Sequence, residues 1–307
     1  MNAALGASKP WPAPGKLNLF LHVVGRRADG YHELQTAFQF IDLCDSLRFF
    51  QRPAGIVERL GEVPGVAPAE DLTVRAARLL AEQAARDGIP VSGVAIVLDK
   101  RLPLGGGVGG GSSDAASVLV ALNRLWGLDL PPATLAALGA RLGADVPVFV
   151  HGTAAWAEGI GERLTPLDFP EPWYLLLRPD VSIATAEIFK APELTRDSAI
   201  TTIGGFLQTG GRNDCEPVVR ARYPQVAAAL DWLGRIAPAR LTGTGSCVFA
   251  ALPDEASAQL ALNDVPQGWQ AWVTRGVNRS PLLARLEFER RHGGTQVEGS
   301  REQAWKG

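Results

Sequence analysis

A run of glycines constrains this chain more than any other feature. Gly105, Gly106, Gly107, Gly109, Gly110 and Gly111 fill six of seven consecutive positions, broken only by Val108. Backbone without Cβ atoms can take positive φ and approach a ligand closely. Ser112 and Ser113 follow, and Val118, Leu119, Leu122, Leu125 and Trp126 then recur at helical spacing up to a stop at Gly127. A helix starting directly after such a loop offers free N–H groups and the positive end of its dipole to an anion. A flexible linker is the competing reading, but linkers rarely run straight into an amphipathic helix. In physical terms the loop is a phosphate cradle.

Two standard cradles do not fit. A Walker A loop needs Lys after its last glycine, and Ser112 stands there. Gly105, Gly107 and Gly110 satisfy the dinucleotide pattern G-x-G-x-x-G, as almost any glycine run does. Pro103 intrudes between strand and loop, however, and Asp129 follows a helix where a second strand is required.

The surrounding pattern mixes strands and helices without the regular alternation of a doubly wound sheet, which predicts an α+β fold. From Lys16, residues Leu17, Leu19, Leu21 and Val23 mark one face of a strand and Lys16, Asn18, Phe20 and His22 the other. A turn at Ala28-Asp29-Gly30 leads through Tyr31-His32 to a second strand over 35–43. Residues 51–70 read as loop. Asp71 is placed to cap a helix carrying Leu72, Ala76, Leu79 and Leu80. A strand is expected over 91–99, and a helix from Pro131-Pro132 to Gly143. Pro147 biases Val146 toward extended backbone, which would put Asp145 at a helix-to-strand junction. Further on, strands are expected over 173–177 and 247–252 and a helix over 226–233, with a second glycine turn at 242–246. The tail from about Glu289 is polar and aperiodic and is expected to be mobile.

Composition removes several function classes. Thirty Lys plus Arg stand against 32 Asp plus Glu, a formal charge of −2, so no excess of positive charge suits a nucleic-acid backbone. Cys44, Cys215 and Cys247 are odd in number and irregularly spaced, which fits a reducing compartment rather than a disulfide scaffold. His22, His32, His151 and His292 form no ligand-like spacing with them, so no protein metal site is expected. The first ten residues hold no apolar core with a cleavage site, and no apolar run reaches the ~18–20 residues of a membrane span. A soluble cytoplasmic protein without membrane or nucleic-acid partners is expected.

Three separated segments together resemble the GHMP kinase superfamily: Pro14-Gly15-Lys16-Leu17-Asn18, the stretch from Pro103 to Ser113, and Thr242-Gly243-Thr244-Gly245-Ser246. The likeness spans residues 10–288 and tightens at Asp29-Gly30-Tyr31-His32-Glu33-Leu34-Gln35-Thr36, Gly143-Ala144-Asp145-Val146-Pro147 and Ile188-Phe189-Lys190. These stretches resemble the branch of the superfamily that phosphorylates the 2-hydroxyl of a cytidyl-diphosphate sugar alcohol in the non-mevalonate (methylerythritol phosphate) isoprenoid pathway. The resemblance implies two domains: a ribosomal-protein-S5-like ATP-binding domain over 1–155 and a ferredoxin-like α/β sandwich substrate domain over 156–288. The active site would lie in the cleft between them, and 289–307 would be tail.

The resemblance also implies roles. Lys16 and Asp145 would form the catalytic pair, with Asp145 as base for the acceptor hydroxyl. Pro103, Leu104, Gly105, Gly106, Gly107, Val108, Gly109, Gly110, Gly111, Ser112 and Ser113 would wrap the phosphates of ATP, the phosphoryl donor, which comes with Mg²⁺. Asn18, Tyr31, His32, Thr185 and Phe189 would hold the cytidyl substrate, with Tyr31 and Phe189 stacking on the base and His32 reading its edge. The chain carries Asp71 and Asp114 where relatives often carry Asn, and either Asp can cap a helix. A monomer or homodimer is expected. The competing functions are a homoserine- or mevalonate-type kinase, which has no use for a base-stacking pair, and a catalytically silent ligand sensor, which has no use for Lys16 beside Asp145.

Overall fold

Long strands of near-continuous burial organise the chain. In the computed structural model, which describes residues 8–63, 66–67 and 70–292, β1 (Trp11–Arg26) and β2 (His32–Arg52) pair antiparallel around the expected turn. Both outrun the stretches that alternation predicts. β2 continues through polar residues because β4 (Gly93–Asp99) takes up its second half, pairing Ser46 through Arg52. The 51–70 segment is not all loop: β3 (Val57–Leu60) lies within it and runs parallel to β4. Four residues carry no periodicity of their own, and only the distant partner makes them a strand.

Helices cover this half of the sheet. In α1 (Leu72–Arg86) the Asp71 side chain accepts the Thr73 N–H at 2.8 Å, the expected cap. α2 (Gly110–Leu125) begins inside the glycine run rather than after it, and α3 (Pro132–Ala140) follows. The expected strand after Asp145 is a helix instead, α4 (Val146–His151). Pro147 sits in its first turn, where a missing N–H costs nothing, and this outweighs the extended bias on Val146. Trp11, Phe40, Leu80, Leu119, Leu122 and Phe149 are fully buried between these helices and the sheet. Each such side chain contributes about 1.5–3 kcal/mol by leaving water.

β5 (Ala155–Gly159) stays on β2, and β6 (Arg163–Pro166) pairs with β5. The second half then builds its own core. β7 (Trp173–Arg178), α5 (Thr185–Lys190), α6 (Ile203–Thr209), α7 (Glu216–Arg222), α8 (Pro224–Gly234), β8 (Ala239–Leu241), β9 (Val248–Leu252), α9 (Glu255–Asn263) and β10 (Gln270–Val277) follow in order. Leu175, Leu177, Val219, Val226, Leu230 and Val248 close against one another there. The strand order is β3-β4-β2-β10-β7-β9-β8, and β10 joins the halves through Gly276 opposite Ile41 and Val277 opposite Phe40. Among the described strand pairs only β3–β4 is parallel, which is the α+β arrangement.

The last helix, α10 (Pro281–His292), returns to the first core through Leu282 and Leu286. Residues 289–292, expected as tail, therefore complete a helix, and 293–307 lie outside the described residues. No helix among the described residues is long and apolar enough to cross a membrane.

Candidate active site

The two glycine turns that sequence places far apart are bonded to each other. Gly106 O accepts the Cys247 N–H at 3.1 Å, and Gly107 O accepts the Thr242 hydroxyl at 3.3 Å. Gly107 has φ +76°, and a Cβ there would lie 2.2 Å from Thr242 O. The glycine at 107 thus answers to the chain's own second turn, and not only to a ligand. Gly109, at φ +72°, ends the loop as the residue before α2, with the Phe149 ring packed where its Cβ would be. Gly110, Gly111 and Ser112 form the first turn of α2, whose N–H groups have no intrahelical acceptor.

This cradle lines one end of a cavity of about 440 Å³, together with Pro103, Leu104 and Lys16. Two residues expected in it are placed elsewhere. The Val108 side chain is wholly buried against Leu17 and Leu102, and only its carbonyl serves the site, accepting the Lys16 N–H at 3.0 Å. Ser113 is also fully buried, because it lies on the face of α2 turned to the core, and it does not line the cavity. A glycine run has no apolar periodicity that would have separated inward from outward positions.

Lys16 and Asn18 come from β1, and register shifts between Pro14 and Lys16 and between Asn18 and Phe20 bracket them. Such bulges re-aim side chains beside active sites. Lys16 is 3% exposed; its ammonium lies 3.4 Å from Asp145 Oδ2, donates to Gly107 O at 3.2 Å and to Asn18 Oδ1, and sits 5.3 Å from the centre of the Phe38 ring. A cation this buried needs such partners. Asn18 donates to the Thr36 hydroxyl at 2.9 Å, and its own N–H is held by the Thr242 hydroxyl at 3.0 Å. Asp145, just before α4, makes no cap bond to its helix and is 36% exposed, so its carboxylate has room for a further donor.

A second cavity of about 640 Å³ opens beyond Asp145's neighbour Ala144 and shares Leu34, Ile160, Thr185 and Phe189 with the first. Tyr31, His32 and Arg196 line it. His32 lies against the Phe189 ring, with centroids 5.1 Å apart and planes at 26°, while Tyr31, expected with Phe189 to stack on the base, is 60% exposed at the rim. Thr185, at the start of α5, shares a hydrogen bond of 3.0 Å with Thr244 of the second glycine turn. The His32 pKa is lowered by burial first and by Arg196 and Arg26 next.

Sequence reading missed a charged cluster behind the cradle. Lys100 lines the first cavity and bonds Asp45 Oδ2 at 2.5 Å and Asp114 Oδ2 at 2.8 Å. Asp45 also accepts the N–H groups of Arg101 and Leu102 at 2.6 and 2.7 Å, fixing the entry to the glycine loop. Asp114 does not cap α2, as sequence allowed. It is buried in that helix, and burial pushes its carboxyl up to about 7. Burial works against the Lys100 ammonium, but the two carboxylates more than offset this and hold its pKa above the usual lysine range. Three residues from separate parts of the chain, on β2, just after β4 and on α2, leave no local signature. Burial also pushes the Cys215 and Cys247 thiols up to about 12, so neither is poised as a nucleophile.

Comparison with known proteins follows the same geometry. Residues 71–153 match the GHMP kinases N-terminal domain, and residues 193–271 match the GHMP kinases C-terminal domain. The chain is 58% identical to the 4-diphosphocytidyl-2-C-methyl-D-erythritol kinase of Alkalilimnicola ehrlichii over 92% of this chain and 96% of that one. It is 56% identical to the kinase of the same name from Nitrosococcus oceani, over 90% of this chain and 98% of that one. A crystal structure of 4-(cytidine 5'-diphospho)-2C-methyl-D-erythritol kinase superposes with a TM-score of 0.75 at 33% identity, covering 88% of this chain and all of that one. A mevalonate kinase structure shares the fold, with a TM-score of 0.64 at 17% identity over 89% of this chain and all of that one. The chain therefore belongs to the GHMP kinase family, in its branch of 4-diphosphocytidyl-2-C-methyl-D-erythritol kinases.

Proposed function

We infer that this protein transfers the γ-phosphoryl group of ATP to the 2-hydroxyl of 4-diphosphocytidyl-2-C-methyl-D-erythritol, giving the 2-phosphate and ADP. One observation carries the reading. The Lys16–Asp145 pair, 3.4 Å apart, lines a glycine-walled cavity that shares Ala144, Thr185 and Phe189 with an aromatic-lined one. Phosphoryl transfer asks mainly for positioning and charge stabilisation. The first turn of α2 supplies N–H groups for the phosphates. Asp145 accepts the proton of the acceptor hydroxyl, and Lys16 orients that carboxylate and offsets charge on the departing group. Tyr31, His32, Phe189, Thr185 and Asn18 hold the cytidyl part.

The donor set suits Mg²⁺ arriving with ATP rather than a resident metal. Among the described residues no three His, Cys, Asp or Glu side chains gather as a metal site, whereas the Ser112 hydroxyl and Asp145 carboxylate are oxygens at the cavity wall. Magnesium commonly takes one or two protein oxygens, with phosphate and water completing the octahedron. When bound, it would neutralise phosphate charge. Substrates of this kind and three free thiols among the described residues suit the cytoplasm.

The test is transfer of labelled phosphate from ATP to the cytidyl-diphosphate sugar alcohol, with homoserine and mevalonate as parallel acceptors. Turnover of the cytidyl substrate alone is expected. Faster turnover of either acyclic acceptor would overturn the assignment.

A further inference from the structure

We propose that Arg196 is a positioning residue that fixes the tautomer of His32, making that ring an obligate Nδ1–H donor toward the substrate's base. The inference deepens the reading above and rests on it for the identity of the base. Arg196 follows α5 in the chain, and all three nitrogens of its guanidinium are hydrogen-bonded. Nη1 donates to Leu194 O at 2.9 Å, and Nη2 donates to Phe189 O at 2.9 Å and to Ala191 O at 2.7 Å. The Nε–H donor points at His32 Nε2 at 3.1 Å. A guanidinium has donors only, so the nitrogen facing it must accept. A neutral imidazole whose Nε2 accepts carries its hydrogen on Nδ1. The imidazolium would instead set N–H against N–H beside a fixed cation. Burial, Arg196 and Arg26 disfavour that charged form, in that order.

The same guanidinium ties the tautomer to the stacking platform. Its bond to Phe189 O holds the turn that carries Phe189, and the Phe189 ring lies against His32. Arg196 therefore spans the two sides of the second cavity, one on the start of β2 and one at the end of α5. A donor held this way selects a ring acceptor. Cytosine offers a bare N3 between its carbonyl and amino groups, whereas uracil carries a hydrogen on N3. Arg196 thus contributes to preference for a cytidyl over a uridyl substrate while lining the cavity from behind the histidine.

The experiment combines spectroscopy with kinetics. Long-range ¹H–¹⁵N spectra of the ¹⁵N-labelled protein, with His32 assigned through His32→Gln, report which ring nitrogen is protonated before any substrate is added. Nδ1–H is expected in the wild type, with a shift toward Nε2–H in Arg196→Ala. The KM for the cytidyl substrate should rise about tenfold, the equivalent of one lost hydrogen bond, with kcat and the KM for ATP within about twofold. The preference for cytidyl over the matching uridyl substrate should fall by a similar factor. Nε2–H in the wild type overturns the proposal even if Arg196→Ala fails to fold. An unchanged base preference in a folded variant overturns the specificity role. Absence of cytidyl kinase activity in the wild type would sink the substrate assignment instead, and the substrate-free spectrum separates the two failures.

Discussion

Replacing Gly107 with alanine tests whether the two glycine turns act as one unit. The new Cβ would lie 2.2 Å from Thr242 O and 3.2 Å from Gly245 O, both backbone atoms that cannot rotate away. The residue would also keep φ near +76°, which costs an L-amino acid about 1–2 kcal/mol. Moving the loop to relieve the contact weakens the bonds from Lys16 Nζ and the Thr242 hydroxyl to Gly107 O, about 0.5–1.5 kcal/mol each. The total is roughly 2–5 kcal/mol, which for a chain of this size lowers Tm by about 3–8 °C. Gly111→Ala is the matched control. It has no positive φ, its nearest Cβ neighbour is Leu72 Cδ1 at 3.5 Å, and alanine is the better residue inside a helix. Gly111→Ala should hold or raise Tm while increasing the KM for ATP, since its methyl group enters the cradle. Gly107→Ala should lower Tm and, in whatever remains folded, lower kcat through Lys16. A Gly107→Ala protein that melts with the wild type and turns over normally would refute the docking of the two turns.

Asp145→Asn should lower kcat by about 10²–10⁴, the usual cost of losing a general base, with the KM for ATP within about twofold; a third of wild-type turnover would remove Asp145 from the chemistry. Lys16→Met should depress kcat more than it raises either KM, because its charge matters most as the phosphoryl group departs; a change in KM alone would make Lys16 a binding residue. Phe189→Ala should raise the KM for the cytidyl substrate by roughly 5- to 150-fold, following from about 1–3 kcal/mol per stacked base; a lowered Tm with unchanged KM would show packing rather than stacking. Asp114→Asn should gain stability over the wild type with rising pH. The buried Asp114 carboxyl titrates near 7, well above its unfolded range, so the wild type loses stability as pH rises from about 4 through 7, and the neutral Asn does not. Melts at pH 5, 6, 7 and 8 check this, and a difference that stays constant across them would contradict it.

The legible parts of this molecule are those with a local physical cause. Asp71 caps α1 because an acceptor before an apolar helical repeat has one good use. Lys16 and Asn18 share a strand face, and the structure indeed turns both into one cavity. Asp145 is found beside Lys16, although a helix and not the expected strand follows it, since a proline in a first helical turn and a proline in an extended segment look alike in sequence. What stayed hidden depends on partners far along the chain. β3 exists because of β4, Lys100 is held by Asp45 and Asp114 from different elements, and Arg196 meets His32 across 164 positions. The side chain of Val108 faces the core because the glycine run is itself packed, and that of Ser113 because it lies on the inward face of α2, facts no composition rule for loops contains.

That packing bears on how the site divides its work. The atoms that fix the cradle are mostly backbone: Gly106 O to Cys247 N, Val108 O to Lys16 N, and Gly107 O to Lys16 Nζ and the Thr242 hydroxyl. Backbone bonds constrain which φ and ψ a position adopts but leave its neighbours' side chains free, so the phosphate end is specified by few residue identities. The base end is built the opposite way. In the proposed reading Tyr31, His32, Phe189 and Arg196 act through rings and a guanidinium, at or just before the start of β2 and on α5 and the segment after it. A substitution at the base end can therefore change which acceptor is bound without disturbing the Lys16–Asp145 pair. A change at Gly107 moves the pair itself, because Lys16 is bonded to the carbonyl of the residue that shifts. Substrate preference and phosphoryl transfer should thus respond largely to separate sets of mutations in this chain, meeting at residues that line both cavities, such as Phe189 and Thr185, and at Asn18, which with Thr185 touches the second glycine turn.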